Sequence, residues 1–128
     1  MTISAPVPLK WLTAWRFGAW ALVVAIWILS LIPPTGIPMP SSDKSGHFIA
    51  YFVTMAWFIL CYRSTTPVAG ALIAMGILLE FLQGLTGYRT FDPLDMLANS
   101  GGVITAWILV LTPYPKTLGY VENRLLRQ

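Results

Sequence analysis

The sequence predicts an all-α fold, a bundle of four transmembrane helices with both termini in the cytoplasm. Three observations carry that expectation. The 128 residues are 56% hydrophobic and only 10% charged, with a mean hydropathy of +0.69, and a soluble domain of this size cannot hide so much apolar surface. The apolar residues gather in four runs, about residues 15–32, 47–62, 67–85 and 96–111, each of roughly 16–19 residues and so near the short end of what crosses a bilayer core as helix. The basic residues divide unequally between the two ends of those runs. Lys10, Arg16, Arg63, Lys116, Arg124 and Arg127 fall on one side, against Lys44 and Arg89 on the other, which places both termini inside by the positive-inside bias.

The first run follows Lys10 and Arg16 and resembles a secretory signal. It is long for one, and Pro33-Pro34-Thr35-Gly36 follows it instead of a small-residue cleavage site, so it is read as a retained helix. Pro33 and Pro34 stop that helix, and Gly36 and Pro38 keep the next loop irregular. The second run ends at the sole cysteine, Cys61, read as a buried structural thiol. Thr65-Thr66-Pro67 separates the second and third runs, with Pro67 placed to open a helix. Links this short make neighbouring helices antiparallel. The fourth run is preceded by Asp92-Pro93, an N-cap followed by proline at the first helical position, with Asp95 where a carboxylate meets the positive end of the helix dipole. Beyond it, Leu118 to Gln128 suits one or two amphipathic turns lying on the membrane with Val121, Leu125 and Leu126 down. Trp11, Trp15, Trp20, Trp107, Tyr62 and Tyr114 cluster near the inner ends as an interfacial belt. The whole chain reads as one integral membrane domain.

Four of the five carboxylates, Asp43, Glu80, Asp92 and Asp95, and the only histidine, His47, lie at or inside the outer ends of the apolar runs. Lipid offers such groups no water, so each must find a partner or serve a purpose. Asp43, His47 and Tyr51 share one helical face at i, i+4 and i+8. Glu80 sits about five residues before the end of its run, roughly 7–8 Å below the interface at ~1.5 Å per residue. An unpaired carboxylate at that depth costs on the order of 3 kcal/mol, so it must be paired, protonated or hydrated. Gln83 and Gly84 extend its face. Asp95, Asn99 and Gly102 form a polar, small face one helix further on. Arg89 is positioned to pair with Glu80 or Asp95, or with a phosphate or carboxylate on a ligand.

The ordered set Asp43-Lys44-x-x-His47-x-x-x-Tyr51, Glu80-x-x-Gln83, Arg89 and Asp92-x-x-Asp95-x-x-x-Asn99-x-x-Gly102 resembles the VanZ-like family of small bacterial membrane proteins. The resemblance covers roughly residues 43–102. It implies a helical membrane protein of the bacterial cell envelope with a link to glycopeptide resistance of the teicoplanin type; the count of basic residues turns the polar site of such an inner-membrane protein toward the periplasm or cell exterior. The resemblance implies no catalytic residue.

Two functions stay open at this point. The first is a binding or accessory protein whose outward pocket, formed by Asp43, His47, Tyr51, Glu80, Gln83, Arg89, Asp95 and Asn99, holds a membrane lipid headgroup or a lipid-linked envelope precursor, with Arg89 and Lys44 on an anionic group. The second is a membrane-embedded enzyme acting on a lipid or lipid-linked substrate, with His47 and Glu80 as base and acid. No Gly-x-Ser-x-Gly, His-Glu-x-x-His or phosphate-cradling loop occurs, and Asp43, His47, Glu80 and Asp95 lack a metal-ligand spacing, so no metal or cofactor is expected. The inner halves of the runs carry almost no polar groups, which argues against a transport path. Nothing suggests nucleic acid.

Overall fold

A computed structural model describes residues 10–33 and 44–126. Among the described residues there are five α-helices and no β-strand: α1 Leu12–Leu31, α2 Lys44–Cys61, α3 Thr66–Leu85, α4 Pro93–Trp107 and α5 Thr117–Leu125. A 3₁₀ turn, Ile108–Leu111, prolongs α4, and another, Tyr114–Lys116, leads into α5. Helices α1 to α3, and α4 with its 3₁₀ extension, are long and apolar enough to cross a membrane. The expected four runs are therefore four helices; α1, α2 and α4 begin three residues earlier than the hydropathy alone placed them and α3 one residue earlier. Pro34, Gly36, Pro38, Asp43 and Arg127 lie outside the described residues.

Helix α2 is the axis of the bundle, burying Tyr51, Thr54, Met55, Ala56, Phe58, Ile59 and Cys61. It packs chiefly and directly on α4, which runs parallel to it, while α3 runs antiparallel to both and packs mainly on α4. The approach of α4 to α2 is close because Gly102 has no side chain. A Cβ there would collide with the Phe48 carbonyl oxygen and stand 3.0 Å from the Phe52 amide nitrogen. Gly76 of α3 does the same for Tyr51 and Asn99, both within 3.4 Å of where its Cβ would be. Small residues at such crossings let backbones meet without a hydrophobic driving force. Met55, Ile59, Leu72, Val103 and Ala106 fill the core between these helices.

Helix α1 is peripheral, with Ala19 as its one buried residue. Gly18 leaves room for the Trp57 ring, whose indole N–H donates to the Trp15 carbonyl at 2.9 Å. Its C-terminal end is held by side chains from elsewhere. The last four carbonyls of a helix have no partner within it. Here Arg89 donates to Leu29 O at 3.2 Å and toward Ile32 O at 3.5 Å, Gln83 Nε2 donates to Ser30 O at 3.0 Å, and the Tyr88 hydroxyl donates to Leu31 O at 2.5 Å.

The C-terminal segment departs most from expectation. It forms a defined helix, α5, that folds back onto the start of α1. Leu118, Gly119 and Glu122 face inward. The Glu122 carboxylate accepts from the backbone amides of Lys10 at 3.1 Å and Trp11 at 2.7 Å. A buried anion at the positive end of α1 complements the helix dipole. Val121, Leu125 and Leu126, the apolar side of this helix, stay exposed. This contact puts the first described residues and the last at one end of the bundle. At that same end Trp20 donates to the Tyr62 hydroxyl at 3.0 Å, Arg16 stacks over the Tyr62 ring at 4.8 Å, and Trp107 donates to the Thr65 hydroxyl at 3.2 Å.

Candidate functional site

At the opposite end, α2, α3 and α4 bring polar side chains together in a graded stack. Lys44, His47 and Tyr51 lie at i, i+3 and i+7 on α2 and so point the same way. Lys44 is the outermost. Its ammonium donates to Asp92 Oδ2 at 2.8 Å and stands 3.5 Å from Asp95 Oδ1. Asp92 also caps α4, as its sequence context required, with Oδ1 accepting from the Leu94 amide at 2.8 Å. The bond to the Lys44 ammonium, reinforced by the Leu94 amide, holds the Asp92 carboxyl below the usual aspartate range. The stabilisation this gives is present above the unfolded aspartate value and fades as pH falls through the lowered one.

One turn deeper, His47 bridges to α4. Its Nδ1 meets Asn99 Oδ1 at 3.1 Å, and Nε2 stands 3.6 Å from Asp95 Oδ2. Because the amide oxygen of Asn99 only accepts, Nδ1 carries the proton. Nε2 faces the Asp95 carboxylate, which only accepts: an unprotonated Nε2 calls for a donor between the two, whereas a protonated one donates to Asp95 itself. His47 remains partly exposed, with 22% of its side chain accessible, whereas Asp95, Asn99 and Tyr51 are buried.

Glu80 lies at the base. It is 1% exposed. Its Oε1 accepts from the Asp92 backbone amide at 2.7 Å, fastening the loop ahead of α4 to α3. Its Oε2 has no hydrogen-bond partner among the described residues. His47, Asp92 and Asp95 are all within electrostatic range of this carboxylate, as is Tyr51. A buried oxygen left in this state costs about 1–3 kcal/mol, so it is not a neutral feature of the fold.

Of the residues singled out from the sequence, His47, Tyr51, Glu80, Asp95 and Asn99 converge as expected. Asp43 lies outside the described residues. Gln83 and Arg89 do not join them. Both turn to α1 and cap its carbonyls, so Arg89 pairs with neither Glu80 nor Asp95, though its Nε is left buried without a hydrogen-bond partner. The physical reason is that four orphan carbonyls at a helix end beside apolar surface compete strongly for donors. Lys44 takes the place expected for Arg89, as the cation between two aspartates. Its signal was in the sequence: i, i+3 and i+7 spacing from His47 and Tyr51. No three His, Cys, Asp or Glu groups among the described residues converge closely enough to hold a metal ion.

Comparison with known proteins finds a relative in Schizosaccharomyces pombe, the uncharacterized protein C11E3.10. It is 33% identical over 110 residues, an alignment covering 75% of this chain and 67% of the relative. The chain belongs to the same family as that protein. No protein-family model matches the sequence, and no solved structure matches it. The family thus extends to a fungus, and its membership rests on three quarters of the chain rather than on the cluster alone.

Proposed function

We propose that this chain is an integral membrane protein of the VanZ-like kind whose α2–α3–α4 cluster holds the headgroup of a membrane lipid or of a lipid-linked precursor. One observation carries the reading. Glu80 is buried with one carboxylate oxygen unsatisfied, at the foot of a stack that Lys44 and His47 open to the surface of the bundle. A polar group with hydrogen-bonding capacity to spare, reachable from the interface, is what a headgroup site requires. The family member in a fungus weighs toward a common membrane lipid over a precursor peculiar to a bacterial wall.

The same proposal places both ends in the cytoplasm and the cluster on the far face, in a bacterial chain the periplasmic or outer side of the inner membrane. The sharing of one bundle end by Lys10, Trp11 and Glu122 supports the first half, and the six basic residues against two support the second. An impermeant thiol reagent should label Thr90→Cys from outside intact cells and Asn123→Cys only after permeabilisation; the reverse pattern refutes the orientation. A link to teicoplanin-type resistance follows from the resemblance alone. Unchanged drug susceptibility in cells carrying the chain would remove it.

Native mass spectrometry of the purified protein tests the site. A lipid should co-purify with the wild type and be lost from Glu80→Gln; equal retention by both excludes the cluster as its seat. A second reading, an enzyme acting on a lipid or lipid-linked substrate, is favoured by the geometry of His47, a ring oriented by Asn99 and poised beside Asp95. It requires that the bound lipid be converted by the wild type and not by His47→Gln. Identical lipid spectra after incubation with either protein count against catalysis.

A further inference from the structure

The charge and hydrogen-bond balance of the cluster indicate which kind of headgroup it suits. The sequence alone pointed to an anionic group met by Arg89 and Lys44. The structure withdraws both cations from that task, Arg89 to the end of α1 and Lys44 to Asp92 and Asp95. What the cluster has left is weighted toward acceptors: Glu80 Oε2, which has no partner, Asp95 Oδ2, and His47 Nε2 when that nitrogen is unprotonated. A phosphate there meets carboxyl groups, and the one lysine among the described residues of the cluster is already engaged by Asp92 and Asp95. Replacing water with such like charges is costly at low dielectric.

We infer that the group held by the cluster is a primary ammonium, as carried by an aminophospholipid headgroup, donating to Glu80, Asp95 and His47. An ammonium brings one positive charge and three N–H donors on a single atom. The cluster as described holds three carboxyl groups, Glu80, Asp92 and Asp95, against the single lysine, so acidic partners outnumber the cation already there. A divalent metal ion is less suited, because its ligands must stand within a coordination distance that no three acidic, histidine or cysteine groups among the described residues provide. An ammonium tolerates the wider spacing of hydrogen bonds, and with Nε2 unprotonated the 3.6 Å gap between His47 Nε2 and Asp95 Oδ2 separates two acceptors that one donor group can serve together. Burial of Glu80 strengthens each such bond. The inference rests on the headgroup reading above and narrows it.

The test uses the full chain in detergent, delipidated and then offered equimolar phosphatidylethanolamine, phosphatidylcholine and phosphatidylglycerol, with retention read by native mass spectrometry. Phosphatidylethanolamine should be retained at least tenfold over the other two, because choline has no N–H to donate and glycerol has no charge. The comparison needs no variant and so does not depend on one folding. In Asp95→Asn the preference should fall at least tenfold. Millimolar free ethanolamine that displaces the lipid would support the same chemistry with a soluble amine as its source; failure to displace it supports the lipid. If phosphatidylglycerol or phosphatidylcholine is retained as well as phosphatidylethanolamine, the ammonium inference is overturned while the headgroup reading stands. If no lipid is retained, both fall.

Discussion

The backbone amide of Asp92 donates to the Glu80 carboxylate across 2.7 Å, so a residue buried in α3 fixes the loop from which α4 starts. The second oxygen of the same carboxylate is buried with no hydrogen-bond partner among the described residues. Glu80 therefore has a structural half and an unassigned half, and substitution can separate them. Glu80→Gln keeps an acceptor for the Asp92 amide and should leave the thermal midpoint close to that of the wild type while lipid retention falls. Glu80→Leu removes the acceptor and strands a buried amide, which costs about 1–3 kcal/mol. Thermal unfolding of both variants in detergent checks this; equal midpoints for Leu and Gln would remove the structural half.

Arg89 should behave in the opposite way. It caps α1 and does not touch the cluster, so Arg89→Ala is expected to lower the thermal midpoint, with a loss on the order of 1–2 kcal/mol for charge-assisted bonds to the carbonyls. Lipid retention should be unchanged. Native mass spectra that lose the lipid in Arg89→Ala would return this residue to the binding site.

The α2–α4 crossing depends on a missing side chain. Gly102→Ala drives a methyl group into the Phe48 carbonyl, and because backbone must shift to relieve it the cost should be about 1–3 kcal/mol. Gly70, on α3, has nothing within 4 Å of its Cβ position, so Gly70→Ala is the control and should be neutral or mildly stabilising. Paired unfolding curves decide the matter, and indistinguishable effects at the two positions would contradict the packing described.

Glu122 is the fifth carboxylate, set apart from the cluster by the full length of the bundle. Removing it in Glu122→Ala leaves the Lys10 and Trp11 amides without their acceptor, and α5 without its main polar attachment to α1. Hydrogen exchange should accelerate at those two amides and through Thr117–Leu125, while the cluster end keeps its protection. Unaltered exchange in α5 would show that Leu118 alone holds the helix in place.

Much of this arrangement was legible in the sequence, and the parts that were not share a cause. The spans followed from hydropathy, and the Asp92 cap from the Asp-Pro pair. The meeting of His47, Tyr51, Glu80, Asp95 and Asn99 followed from helical spacing on three short-looped helices, because side chains at i, i+3, i+4 and i+7 have only one face to share. The bonds from Gln83 and Arg89 to α1 were not legible because their partners are backbone carbonyls, and a carbonyl acceptor leaves no residue type to read. Glu122 escaped notice for the same reason, its partners being two amides 111 and 112 positions away. Side chain to side chain pairing is visible in spacing; side chain to distant backbone is not.

The central claim is that a headgroup sits between α2, α3 and α4. A lipid carrying a photoreactive diazirine on its headgroup, reconstituted with the full chain and activated by light, tests it most directly once the crosslinked peptides are sequenced. The account predicts adducts on the segments around His47 and Asp95 that disappear when excess unlabelled lipid is added. Adducts spread equally over Tyr120 to Leu126 at the other end of the bundle, or adducts near His47 that excess lipid does not suppress, would contradict it.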